Sequence, residues 1–259
     1  MPPEERTEGD PEFTPVVEPE QPAPVHVITA AEDRRQAFWG YQDLALVIGL
    51  LLAAMVAVGV GAMGAMKVWH LTVTSPPLLL TSNLAIYLAL LVIFKVVFSR
   101  YSAPMLASLG WRMRSGNVLM LAAAGGIALP FVISGIGQLL HTPEVKTAMD
   151  EVPDSIPLAL MAVLLAPFFE ELFFRGFLQP LLSRTFGVIL GVLITGALFG
   201  GLHAAEYLFV WQYVVAITLV GVALGFVRVW TNSIVPTTVM HSCFNGLQVI
   251  AVAFSRHHK

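Results

Sequence analysis

"LALVIGLLLAAMVAVGVGAMGAM", Leu44 to Met66, places 23 residues in a row with no charged side chain among them. About 20 mostly apolar residues suffice to cross the hydrocarbon core of a bilayer. In that core every backbone N–H and C=O must be satisfied within the protein, which leaves helices or closed barrels. The short alternating strands of a barrel are not seen, so the run reads as a helix. Working outward, comparable runs follow at Val68–Phe94, Ser115–Leu140, Ser155 to about Leu182, Phe186 to about Ala205 and Tyr207–Val227, and a last one lies within Val229–Ser255. Pro76 and Pro77 are placed to start the second span, and Pro130 to kink the third. The expectation is an all-α, polytopic transmembrane helix bundle with seven spans.

Composition agrees. The 259 residues are 56% hydrophobic and 12% charged, with a mean hydropathy of +0.76; soluble domains carry about 25% charged residues. A net charge of -3 speaks against a nucleic-acid partner, leaving the lipid bilayer as the evident one. The single cysteine, Cys243, rules out an internal disulfide and reads as a small buried residue. Residues 1–38 carry nine of the seventeen acidic residues and seven prolines. Such sequence reads as a disordered acidic tail, with the transmembrane domain over 39–259. The polar N-terminus does not read as a cleavable signal. "SRYSAPMLASLGWRMRSG" (99–116) mixes arginines with Leu106, Leu109 and Trp111, as an interfacial helix would, and "HTPEVKTAMDEVPDS" (141–155) reads as a surface loop.

Seven spans put the termini on opposite sides. The N-terminal side then collects Arg34, Arg35, Lys95, Arg100, Arg112, Arg114, Arg184 and Arg228, and the other side Lys67, Lys146, Arg256 and Lys259. This bias predicts an integral membrane protein with a cytoplasmic N-terminus. No internal repeat is visible, which disfavours transporter folds built from two halves.

The fourth run contains "APFFEELFFRGF" (166–177), with three charges in six residues. Each charge at the centre of a span costs about 2.5–3.5 kcal/mol on insertion scales, so these must face protein or water. Glu171 and Arg175 are four apart and can pair on one helical face. Glu170 points about 100° away and is the free carboxylate, suited to act as a general base. Phe199 and His203 in "FGGLH" share the same four-residue spacing, with Gly200 and Gly201 permitting close helix approach. So do His241 and Asn245 in "HSCFN". A carboxylate and a histidine can polarise water for attack on an amide, and a second histidine with an asparagine can donate to the resulting oxyanion. Glu170, His203 and His241 are also a possible zinc set with one position left for water. Both readings lead to peptide-bond hydrolysis within the membrane. The spans as read contain no aspartate and the chain no H-E-x-x-H, which removes an aspartyl dyad and the helix-borne zinc motif.

"EELFFR", "FGGLH" and "HSCFN", in this order on the fourth, fifth and seventh runs, resemble the E-E-x-x-x-R, F-x-x-x-H and H-x-x-x-N motifs of the CPBP intramembrane proteases. That family holds CAAX prenyl endopeptidases and bacteriocin-processing enzymes, and is also called Abi. The resemblance covers about residues 100–250, with the motif-bearing core over about 155–250. It implies that Glu170 and His203 activate water, that His241 and Asn245 stabilise the oxyanion, and that Glu171, Arg175 and Phe199 support them. It implies a peptide or membrane-protein substrate. It leaves open whether a divalent metal such as zinc takes part. The family's eight spans set the expected count at seven to eight.

Alternatives on the residues alone are a noncatalytic scaffold or immunity protein, and a proton-linked transporter using Glu170 and the histidines. One geometric demand follows. His203 stands near the far end of the fifth run and Glu170 near the middle of the fourth. Upright helices would separate them by over ~10 Å, so a tilt, a kink near Pro167 or a water-filled cavity must bring them level, and a polar cavity opening into the membrane is expected.

Overall fold

A computed structural model describes residues 37–145, 152 and 155–257 of the chain. The expected acidic tail falls almost wholly outside these residues, as does most of the polar segment before the fourth run. The fold is all-helical. Its helices are α1 (Tyr41–Trp69), α2 (Pro76–Ser99), α3 (Gly116–Leu139), α4 (Ile156–Phe186), α5 (Val188–Leu202), α6 (Trp211–Thr231) and α7 (Ile234–His257). Six are long and apolar enough to cross a membrane; α5, with 15 residues, is not. At about 1.5 Å per residue it reaches only some 22 Å. The fifth expected span is thus a half-length helix, because its apolar run ends in the turns of residues 203–210.

The long helices alternate in direction, and side-chain contacts fix which connections share an end. Arg100 pairs with Asp43 at 3.1 Å, and the Tyr41 hydroxyl lies 2.7 Å from that of Thr185. Arg114 donates to the Asn232 carbonyl, and Ile234 N–H to that of Gly110. These contacts gather the N-terminal approach, residues 100–115, Gly187 and the α6–α7 junction at one end. At the other end Tyr213 donates to the Pro143 carbonyl. Between α2 and α3, residues 100–115 form only one helical turn, Met105–Ser108, with Leu109 fully buried. The segment is a latch over the ends of α4, α6 and α7, not an interfacial helix. Asp43, the residue before the first uncharged run, lies inside the first turn of α1, where Arg100 and Tyr101 satisfy it.

α4 is the centre of the fold and is not uniformly α-helical. It widens into π-type turns at Met161–Leu165 and Leu172–Leu178. Each ends two residues before a proline, Pro167 and Pro180. A proline ring clashes with the carbonyl four residues back and offers no N–H. Shifting the preceding rung to five residues relieves the clash: Ala166 N–H reaches the Met161 carbonyl, and Gln179 N–H that of Phe174. The next rung would need the proline N–H, so the carbonyls of Ala162 and Arg175 lose their helical donor. Side chains from other helices replace it. Asn245 Nδ2 donates to Ala162 at 2.9 Å, and Arg228 Nε to Arg175 at 3.2 Å. An orphaned carbonyl in this setting would cost free energy, so these two polar residues bind α4 to α7 and α6.

α5 and α6 cross closely through Gly196, Gly200 and Gly221. A Cβ at Gly200 would collide with the Thr218 hydroxyl and stand 2.7 Å from the Val214 carbonyl oxygen. Gly201, also expected at a helix contact, faces open space. Gly200→Val is therefore expected to cost about 1–3 kcal/mol by overpacking, while Gly201→Ala costs less than 1; thermal unfolding in detergent measures both.

Candidate active site

The depth difference expected between Glu170 and His203 disappears in the structure. α4 continues past Leu182 to Phe186 and turns into α5 at Gly187, whose φ of +86° only glycine adopts without strain. Glu170 lies 16 residues before Phe186, and His203 15 residues after Val188. Two antiparallel helices leaving one hairpin place these residues level, each roughly 23 Å from it. Neither a tilt nor a kink at Pro167 is needed to align them.

Glu170, His203, His241 and Asn245 line one cavity of about 200 Å³. Tyr87 of α2, Phe199 of α5, Phe244 of α7 and Glu206 and Tyr207 of the α5–α6 connection complete much of its wall. A cavity lined by the expected polar groups is present. Of its lining residues Glu206 alone is exposed, and it stands in the α5–α6 connection at the end of the bundle opposite the N-terminal approach, so the cavity opens there. The four residues read as catalytic come from α4, α5 and α7, so each motif supplies one wall.

Glu171 and Arg175 pair as their spacing predicts, Oε1 to a guanidinium nitrogen at 2.8 Å, both fully buried. Arg175 also donates to the Gly221 carbonyl at 2.9 Å. The sequence did not reveal the third member: Nδ1 of His241 stands 3.0 Å from the same Glu171 Oε1. Glu171 thus joins the buried cation to the imidazole and fixes the ring. His241 Nε2 then faces Glu170 Oε2 at 3.8 Å. The Glu170 side chain is 25% exposed and has no closer charged partner among the described residues, in keeping with its reading as the free carboxylate.

Phe199 connects these groups. Its ring lies 4.5 Å from the Arg175 guanidinium carbon, 4.6 Å from the His203 ring and 5.8 Å from that of His241. A cation over an aromatic face is attracted by the ring quadrupole, so Phe199 both packs and partly neutralises Arg175. Its own carbonyl stands 2.8 Å from Nδ1 of His203. A carbonyl can only accept, so Nδ1 carries the proton and, in the neutral ring, Nε2 carries the lone pair. The F-x-x-x-H spacing thereby fixes the histidine tautomer.

The other aromatic residues of the fourth run pack inward. Phe169, Phe174 and Phe177 are buried, and Phe169 stacks on Tyr87 at 4.4 Å. Cys243 is half-buried against Gly126 of α3. Arg228, read from the sequence as a cation at a span end, is buried in the protein.

Glu170, His203 and His241 are the candidate metal ligands. Among the described residues no three side chains of histidine, cysteine, aspartate or glutamate converge closely enough to hold an ion. Nδ1 of His241 is turned to Glu171 and Nδ1 of His203 to the Phe199 carbonyl. Those contacts leave Nε2 of both rings free, as in a metal-ligating histidine, but the three donors do not converge, and no step below passes through a metal.

Residues 152–247 match the family model described as type II CAAX prenyl endopeptidase Rce1-like. The match contains all three motifs and every residue of the cavity discussed above except Tyr87, Asn83 and Gln248. No curated protein and no solved structure gives a significant match to the chain.

Proposed function

We propose that this multi-pass membrane protein, whose residues 152–247 match the Rce1-like CAAX endopeptidase family model, hydrolyses peptide bonds with a water molecule activated by Glu170 and His203. The single observation that supports this most is the meeting of Glu170, His203, His241 and Asn245, from three helices, around one cavity.

A water between the Glu170 carboxylate and His203 Nε2 would be polarised by two acceptors. As its oxygen bonds to the scissile carbonyl carbon, its proton passes to Glu170. The carbonyl oxygen becomes an oxyanion facing His241 and Asn245. Nδ1 of His241 is committed to Glu171, so its Nε2 donates when the ring carries both protons. One amide hydrogen of Asn245 is held by the Ala162 carbonyl, which orients the other for the oxyanion. Collapse of the tetrahedral species breaks the C–N bond, and the proton on Glu170 passes to the leaving nitrogen. Glu171, Arg175 and Phe199 position these groups without touching substrate.

The reading is tested with the purified full chain in nanodiscs and a library of quenched fluorescent peptides. Cleavage by the intact protein, reduced roughly 10²–10⁴-fold in His203→Ala as for loss of one acid–base group, is the expected result. Absence of any cleavage, or full activity in the variant, contradicts it.

The excess of basic residues at the N-terminal end favours a cytoplasmic N-terminus. In that orientation the cavity opens away from the cytoplasm, and substrate enters from that side. In a Cys243→Ala background, Thr74→Cys is expected to react with a membrane-impermeant maleimide added outside intact cells, and Ser102→Cys to be protected. The reverse pattern inverts the topology.

A further inference from the structure

Glu206 belongs to none of the three motifs, yet it lines the same cavity as Glu170 and His203. It stands in the turns that follow α5. Its N–H donates to the His203 carbonyl at 3.1 Å, and Phe209 N–H closes back on the Ala204 carbonyl at 2.7 Å. Leu208 and Phe209 both take left-handed backbone, with φ of 53° and 58°, a conformation uncommon outside glycine and costly for bulky side chains. The connection is thus a shaped one that holds a carboxylate three residues from the histidine, at the cavity mouth.

Nothing in the described protein neutralises that carboxylate with an ion pair. Among the described residues the cavity wall contains Glu170 and Glu206 as acids and no lysine or arginine. Both histidine Nδ1 atoms are already committed, to the Phe199 carbonyl and to Glu171. Around the acids stand the rings of Tyr87, Phe199, Tyr207 and Phe244. Carboxylates in a concave site with low-dielectric walls focus a negative potential, and aromatic faces attract cations within about 6 Å. One face of Tyr87, Tyr207 and Phe199 is already taken by Phe169, Tyr213 and Arg175, so the charge of the two carboxylates is what suits a cationic guest.

We propose that Glu206 is a specificity-determining residue, selecting substrates that present a lysine or arginine side chain next to the scissile bond. This rests on the peptidase reading above. An acidic neighbour at that position would meet like charge at the mouth. The site itself predicts a pH dependence. Partial burial raises the Glu206 carboxyl above its usual range; His203 opposes this, and the Glu170 charge adds to it. The ionised form is then lost at higher pH than for an ordinary carboxylate. Preference for basic substrates should fade as pH falls, starting above the usual carboxylate range, with Glu170, His203, His241, Tyr87 and Tyr207 as the other titratable groups of the wall.

The test uses three peptides that differ only in having Lys, Ala or Glu beside the cleaved bond. Binding is read by fluorescence anisotropy and cleavage by KM and kcat, with the full chain in nanodiscs as wild type, Glu206→Gln and Glu206→Lys. The expected wild-type preference is about tenfold for Lys over Glu in both Kd and KM, equal to about 1.4 kcal/mol. It should collapse to near unity in the isosteric Gln variant and invert in the Lys variant. An order of preference unchanged by either substitution, or absent from wild type, overturns the proposal. So does a uniform fall in kcat for all three peptides with a displaced pH profile, which would place Glu206 in the water-activating machinery instead. Binding is measured independently of turnover. Charge-dependent binding without any cleavage would therefore remove the peptidase reading and leave the selection intact, whereas cleavage without charge preference would do the opposite.

Discussion

Glu170→Gln is expected to lower peptide hydrolysis in nanodiscs by roughly 10²–10⁴-fold, the range for loss of one positioned general base, while leaving thermal unfolding nearly unchanged. The two halves of this expectation have separate causes. Glu170 has no ion pair shorter than the 3.8 Å approach of His241 and is partly exposed to the cavity, so an amide of the same shape disturbs little packing. A glutamine cannot accept the proton of the attacking water. Equal loss of activity and stability would instead mark Glu170 as a structural group, and full activity would remove it from the reaction.

Arg175→Met is expected to produce the largest stability loss, about 3–5 kcal/mol, because it leaves the fully buried Glu171 carboxylate without its cation. It also removes the donor to the Gly221 carbonyl and the charge above Phe199. Activity should fall along with stability, since Glu171 holds His241. The double variant Glu171→Leu, Arg175→Met separates the two effects. Replacing a whole buried pair with apolar side chains is often neutral for stability, so unfolding should recover towards wild type. Hydrolysis should not recover, because the His241 ring has lost its anchor. A double variant as unstable as Arg175→Met alone would show that the pair stabilises through more than mutual compensation.

Much of this was legible in the sequence, for identifiable reasons. Long apolar runs marked α1 to α7, because length and hydropathy suffice for spans, though not that α5 stops short of one. Four-residue spacing gave the Glu171–Arg175 pair and the shared faces of Phe199 with His203 and His241 with Asn245. Partners far apart in the chain were not legible. Glu171 meets His241 across 70 residues, and no local pattern encodes that contact. Arg228 looks like a headgroup anchor at the end of an apolar run, yet it holds the Arg175 carbonyl inside the protein. Glu206 looks like an ordinary loop acid until the fold turns it towards the cavity.

One signal was present but unread. Pro167 and Pro180 each remove a rung from α4, and the carbonyls freed five residues upstream are the ones Asn245 and Arg228 cap. A proline inside an apolar helix thus marks where a polar side chain from another helix is needed. The level placement of Glu170 and His203 could also have been counted from Gly187. That required knowing that α4 runs to Phe186, past the polar residues Ser183, Arg184 and Thr185, which read as the end of a span.

The central claim is that Glu170 turns this membrane protein into a peptidase. The most direct measurement compares, by mass spectrometry, the termini of membrane proteins from cells carrying the intact chain with those from cells carrying Glu170→Gln at equal abundance. The account predicts a set of new termini present only with the intact chain. Identical termini in the two membranes would contradict it.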